Sequence, residues 1–169
     1  GETSTVTLQF SEAVASFSSD DDITVQNGSL ATMTSSDNIT WTGTFTPTSD
    51  VEDATNVLTL ATTYTDTAGN APASTSTTDN YTVDTTAATV VAFTLSDSAL
   101  KIGDTATVTL QFSEAVTGFS SDADVTVQNG SLATMTSSDN ITWTGTFTPS
   151  SDVEDATNVM TLATSYTDT

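Results

Sequence analysis

The residues able to do chemistry in this chain are almost all carboxylates. Asp and Glu number 22 against a single basic residue, Lys101, giving a formal net charge of −21 with no His and no Cys. Thiolate and imidazole metal sites are therefore excluded, and the ion chemistry left is that of oxygen donors and hard cations, Ca²⁺ before Mg²⁺. Catalysis is reduced to a carboxylate pair of the glycosidase kind. The acids fall in polar loops without aromatic walls to raise a pKa, and a repeat would duplicate any such site in each copy, so no enzyme is expected. The same charge repels nucleic acid and anionic lipid, which removes both as partners. It also repels the chain itself, and divalent cations held between carboxylates are an efficient way to screen it.

The elements that must position these acids are repeated. "TVTLQFSEAV" begins at Thr5 and again at Thr107, an offset of 102 residues, and residues 1–67 align without a gap on 103–169. Nine pairs differ, all mildly except Asp21 against Ala123. The segment 68–102 occurs once. Two domains are expected, residues 1–84 lacking a first strand and residues 85–169 lacking a last one, as in a piece of a longer tandem array. Neither a membrane-spanning apolar run nor a basic-then-apolar leader is present.

Within each copy the apolar period is two. Val6, Leu8 and Phe10 alternate with Thr5, Thr7 and Gln9, and Ile39, Trp41, Gly43 and Phe45 alternate with Thr40, Thr42, Thr44 and Thr46. This is the pattern of half-buried antiparallel strands with threonine outside and both tryptophans, Trp41 and Trp143, inside. One repeat unit predicts strands near 90–95, 107–112, 124–128, 132–136, 141–148 and 159–166, with the seventh near 80–83 in the first copy. Turns rich in Asn, Gly, Asp and Ser separate them. The expected class is all-β, with tandem seven-stranded immunoglobulin-like sandwiches.

The succession "LSDSALKIGDTATVTLQFSEAV", "WTGTFTP", "YTDTAGN" and "YTVDTTAA" covers essentially the whole chain. It resembles the bacterial Ig-like extender repeats of giant RTX adhesins, cell-surface proteins that include biofilm and ice-binding adhesins. The resemblance implies secretion to the bacterial surface and near-identical neighbouring modules in one chain as partners. It also implies Ca²⁺ at module junctions and a distal adhesive domain held away from the cell.

The strand order places the acids independently of that resemblance. Asp50, Glu52 and Asp53 of "SDVEDATN" share one pole of the first module with Asp84. Glu114, Asp122, Asp124, Asp139 and Asp168 share the facing pole of the second. Across a connection of roughly six residues, Ca²⁺ would turn repulsion into attachment. The expected junction ligands are Asp84, Glu52 or Asp53, Glu114 and Asp168. Glu12, Asp20, Asp22, Asp66 and Asn70 should form half of such a site at the outer pole of the first module, and Asp97 and Asp104, with Asp152, Glu154 and Asp155, the other half at the far end. No spacing matches an EF-hand loop or the glycine-rich RTX nonapeptide, so any site must be assembled from separate loops. The plain alternative for each acid is a turn residue that caps backbone amides. The expected function is a structural spacer. The alternative is an adhesin module that grips glycan or ice through its outward threonines.

Overall fold

The structure, a computed structural model, describes residues 2–169. The chain divides into two compact units, residues 1–86 and 87–169. The regular secondary structure of each is almost wholly antiparallel strand. No helix among the described residues is long and apolar enough to cross a membrane.

In the second unit Val90–Leu95, Ala106–Phe112, Thr142–Pro149 and Gly130–Leu132 lie side by side in that order in one sheet. Period-two alternation turns Val108, Leu110 and Phe112 inward, where they are no more than 1% exposed. Val125–Val127 pairs with Met160–Leu162, and Val116–Thr117 with Thr167–Asp168. These short pairs pack against the buried cluster of Val108, Leu110, Phe112, Phe119, Met135 and Phe147. Ring contacts tie the cluster together, with Phe119 and Trp143 edge-to-face at 4.9 Å between centroids and Phe112 and Tyr166 tilted at 4.7 Å. Gly145 occupies an inward position because a Cβ there would come within 2.8 Å of the Ala133 carbonyl and the Met135 side chain.

The first unit repeats this plan with a different set of neighbours. Ser4–Gln9, Thr40–Pro47 and Gly28–Leu30 form a three-stranded sheet, ordered first, second and third as named. Nothing pairs with the outer edge of Ser4–Gln9 among the described residues, and Val6, Leu8 and Phe10 are only half-buried. Their counterparts in the second unit are sealed by Val90–Leu95 on that edge and by Phe93 and Leu100 packed over the core. The first unit in turn holds pairings that the second does not. Glu52–Asn56 pairs with Tyr81–Asp84, and Leu58–Leu60 with Ser76–Thr77.

Several sequence expectations are corrected in detail. The acids of "SDVEDATN" are not all in a loop, because Glu52–Asn56 is a strand wherever Tyr81–Asp84 lies beside it. The strand expected from Asp124 starts instead at Val125. Before it, Ser121–Asp124 makes one helical turn, and Asp124 Oδ2 accepts the Ser120 N–H at 2.7 Å. Of the run expected over 159–166 only Met160–Leu162 is a strand, and Thr167–Asp168 beyond it forms a separate short one. It breaks because the Ala163 N–H donates to the Asp124 carbonyl at 2.8 Å rather than to a strand neighbour. The strand expected over 132–136 is Gly130–Leu132, with Thr136 joined to Thr144 by a single bridge. It ends early because the Met135 N–H turns to Ser121 Oγ at 2.8 Å.

The two units offer an internal comparison. Leu110→Ala should destabilise the second unit by about 2–5 kcal/mol, the usual cost of truncating a sealed core leucine. Leu8→Ala, the same change in the same local sequence, should cost the first unit clearly less, because its side chain is only half-buried. Denaturant melts of the two variants check this, and equal costs would contradict the burial difference.

Candidate functional site

The acids divide into those whose oxygens are already engaged and those that present them to solvent. Asp22 and Asp124 are 3% and 4% exposed. Asp22 accepts the Ser18 N–H at 2.9 Å and the Thr63 hydroxyl, and Asp124 accepts the Ser120 N–H and the Ser165 hydroxyl. Donation by the Ser120 N–H, then by Ser165, holds the Asp124 carboxyl below its usual range. Asp20 and Asp122 each take a threonine hydroxyl, from Thr32 at 2.9 Å and from Thr134 at 3.1 Å. Asp66 closes the "DTAGN" turn, accepting from the Asn70 amide side chain and from the Ala68 and Asn70 N–H groups, each at 2.8 Å. The Asn70 donors, followed by those of Ala68 and Gly69, depress its pKa. Asp97 caps the Ala99 N–H at 2.9 Å, and Asp104 is ion-paired to Lys101 at 3.6 Å. Glu12 is exposed and Glu114 half-buried. Asp168 stands opposite Val116, on the segment that follows Glu114.

One expected pair is brought together by the backbone itself. Asp84 and Glu52 are directly opposite in the antiparallel register of the first unit, and both are exposed. Residues so placed project from the same face with Cβ atoms about 4.5–5.5 Å apart, an arrangement that is destabilising for like charges. The Glu52 carboxylate has no hydrogen-bond partner among the described residues, and Asp84 spends one oxygen on the Thr86 N–H at 3.2 Å. Asp53 is differently employed. Its Oδ2 accepts Asn27 Nδ2 at 2.8 Å and its Oδ1 accepts the Thr55 N–H at 2.9 Å, with the Thr55 N–H the main cause of its lowered pKa. The geometry therefore selects Glu52 over Asp53 as the exposed partner of Asp84. Two hard oxygen donors on one face, with no cation beside them in that unit, fit part of the roughly six-to-eight-oxygen shell of Ca²⁺. Among the described residues, no group of three or more Asp and Glu gathers closely enough to hold a metal ion.

The sequence reading passed over the asparagines that organise this pole. Asn56 is fully buried; its Oδ1 accepts Asn27 Nδ2 at 2.7 Å, and its Nδ2 donates to the Asp53 and Tyr81 carbonyls at 2.9 and 3.2 Å. Asn27 has φ +47, which asparagine tolerates better than most residues, so "QNGS" supplies at once a network hub and the turn from Ile23–Val25 to Gly28–Leu30, which lie in different sheets. The signal available in the sequence was the pair of asparagines at identical places in both copies. Trp41 packs edge-to-face on Phe17 at 4.8 Å, and it and Trp143 are half-buried core residues, as expected. Their Nε1 atoms are buried without a partner.

Asp37 and Asp139 cap the turn before the long central strands. Asp139 Oδ1 accepts the Ile141 and Thr142 N–H groups at 2.9 Å, and these donors, Thr142 first, lower its pKa. Asp37 is held down in the same way by Thr40 and then Ile39. A carboxyl whose folded pKa is depressed contributes stability that is present above its unfolded pKa of about 3.9 and is lost as pH falls through the folded value. The melting temperature should therefore drop as pH falls below about 4. Asp139→Asn, which keeps an acceptor but cannot titrate, should make the acid limb of the second unit shallower in a calorimetric pH series.

The sequence profile of the bacterial Ig-like domain matches residues 1–83 and again residues 84–169. A search of curated proteins found no match, and neither did a search of solved structures. Two all-β units with their strands in the expected order, each covered end to end by that profile, lead to one assignment. The chain belongs to the bacterial Ig-like domain family and carries two tandem copies of the domain.

Proposed function

We propose that the chain is a spacer segment of a bacterial cell-surface adhesin of the RTX kind, in which tandem Ig-like modules stiffened by Ca²⁺ at their junctions hold a distal adhesive domain away from the cell. The observation that carries this reading is how little free chain connects the units. The last strand of the first unit ends at Asp84, and the first of the second begins at Val90. Thr85 is bound back to the first unit, its N–H donating to the Val51 carbonyl at 2.8 Å and its hydroxyl to the Thr48 carbonyl at 2.7 Å. Thr89 is bound to the second, exchanging hydrogen bonds with Ser113 at 2.8 and 2.9 Å. Ala88 packs on the second core. That leaves Thr86, whose N–H reaches only two residues back to Asp84, and Ala87 between the units, far fewer residues than a flexible linker uses.

The Glu52 and Asp84 pair stands at the first unit's end of this connector. Ca²⁺ bound there supplies the charge that relieves their repulsion, with Glu114 and Asp168 proposed as the ligands from the second module. Affinity on the order of 10⁻⁴–10⁻³ M, usual for extracellular modules, leaves such a site filled outside the cell and empty in the cytosol before export.

The glycan- or ice-binding reading keeps one observation in its favour. Thr94, Thr109 and Thr144 stand in register across three strands, and Thr136 extends the row through its single bridge to Thr144. Threonine is also a favoured solvent-facing strand residue. A glycan array and an ice-recrystallisation assay on the whole chain separate the two, since the spacer reading expects no signal in either.

Small-angle scattering and thermal melts with Ca²⁺ and with a chelator test the spacer directly. Ca²⁺ should lengthen the particle or narrow its distribution of lengths, and raise the melting temperature. Asp84→Ala should abolish most of that response while both units melt as before in chelator. Identical scattering profiles and melting temperatures in the two conditions would refute the calcium junction.

A further inference from the structure

Five of the eight asparagines stand in the pattern asparagine, any residue but proline, then serine or threonine, namely Asn27, Asn38, Asn80, Asn129 and Asn140. This is the pattern of an asparagine that takes an N-linked sugar on an exposed loop. In a chain so rich in Ser and Thr the pattern alone selects nothing. The structure sorts the five by what their side-chain amides already do.

Three are committed. Asn27 Nδ2 donates to Asp53 Oδ2 at 2.8 Å and to Asn56 Oδ1 at 2.7 Å, and Asn129 Nδ2 donates to Asp155 Oδ2 at 3.0 Å and to Asn158 Oδ1 at 2.7 Å. Asn80 Nδ2 donates to the Ala54 carbonyl at 2.8 Å. A sugar on any of them must first break these bonds. Asn38 and Asn140 are different: both are exposed, and neither side chain makes a hydrogen bond among the described residues. The same holds for the hydroxyls of Thr40 and Thr142, two residues on.

The turn that presents these two amides is held without their help. Each asparagine has φ +58, a left-handed conformation that asparagine tolerates, and stands at a corner just ahead of the long strand. Its carbonyl accepts a backbone N–H, from Val14 for Asn38 and from Val116 for Asn140, each at 3.0 Å. Asp37 and Asp139 fix the two residues beyond it, accepting the Ile39 and Thr40 or the Ile141 and Thr142 N–H groups at 2.9 Å. The backbone is thus pinned while the amide is left in solvent, at the same place in both copies.

We propose that Asn38 and Asn140 are N-glycosylation sites, each taking a sugar from a glycosyl diphosphate donor in a reaction catalysed by a separate transferase. Nδ2 attacks the anomeric carbon, the new C–N bond forms as the bond from that carbon to the diphosphate oxygen breaks, and the diphosphate leaves with the electron pair. The surplus proton on Nδ2 passes to a base of the transferase, and nothing is oxidised or reduced. The donor's carrier is a nucleoside or a polyprenyl lipid, and the chemistry at the asparagine is the same for both. The sugar adds bulk and hydration at the turn without adding to a net charge of −21.

The test uses the folded chain and two probes, UDP-glucose with a soluble asparagine glucosyltransferase, and a polyprenyl diphosphate oligosaccharide with a membrane oligosaccharyltransferase. Intact mass should show two additions per chain with at least one probe, and fragmentation should place them on the "SSDNIT" peptide that both copies share. The probe that works identifies the carrier. Transfer to Asn27, Asn80 and Asn129 should be about tenfold or more slower, the rate equivalent of the hydrogen bonds broken, and should recover in peptides cut from the chain. Thr40→Ala with Thr142→Ala should abolish transfer, and Thr40→Ser with Thr142→Ser should restore it, with melting temperatures unchanged in both. The same peptide from protein taken from the cells that make it should carry the sugar. No addition to the folded chain with either probe, an unmodified peptide in the native protein, or equal rates at all five asparagines would overturn the proposal.

Discussion

A β-strand is buried only as far as its neighbours supply edges and faces, and in this molecule that constraint governs everything else. Ala106–Phe112 is hydrogen-bonded on both edges, to Val90–Leu95 and to Thr142–Pro149, and its inward residues are sealed. Ser4–Gln9 has almost the same sequence and a partner on one edge, and its inward residues stay half-exposed. Stability in each unit thus follows the pairing pattern more closely than the composition. The short strands of the facing layer depend on it too, since pairs of two or three residues hold together only against a packed core.

The large negative charge is accommodated mainly by giving many carboxylates local backbone work. Asp37, Asp66, Asp97 and Asp139 cap turns, Asp22 and Asp124 brace single helical turns, and Asp53 and Asp155 hold asparagine networks. A carboxylate fed by N–H donors is stabilised as the anion, so these acids are structural groups that happen to be charged. The Lys101–Asp104 ion pair contributes little by comparison, because the lysine side chain is largely exposed and screened by solvent. Set apart from this pattern is the Glu52 and Asp84 pair, two exposed anions forced side by side by strand register. It is the place where the fold leaves a charge conflict that a cation can relieve.

Much of this was legible in the residues. The two-residue period of "TVTLQF" and "TWTGTF" specified strands, their inward faces and the inward, half-buried tryptophans, because alternation maps directly onto the pleat. The 102-residue offset specified two modules of one kind. The grouping of Asp84 with Glu52 followed from strand order alone. Less legible was what each acid's oxygens do. A capping aspartate and a cation ligand share the same sequence context, and only hydrogen-bond partners separate Asp53 from Glu52. The helical turn at Ser121–Asp124 was hidden because its one turn rests on the Asp124 carboxylate reaching back to Ser120, a contact without periodic signature.

The clearest division comes from the segment "EDATN", which occurs twice. The sequence by itself determined its acids, its asparagine and the side-chain network that Asn27 or Asn129 makes with it, since those bonds close in both copies. Whether it is a strand was decided by tertiary structure. Glu52–Asn56 is one because Tyr81–Asp84 lies beside it, and residues 154–158, with no strand beside them among the described residues, are not. Hydrogen bonds within a helix are local and can be read along the chain. Those of a sheet come from a distant segment, and the same five residues take whichever state that neighbour allows.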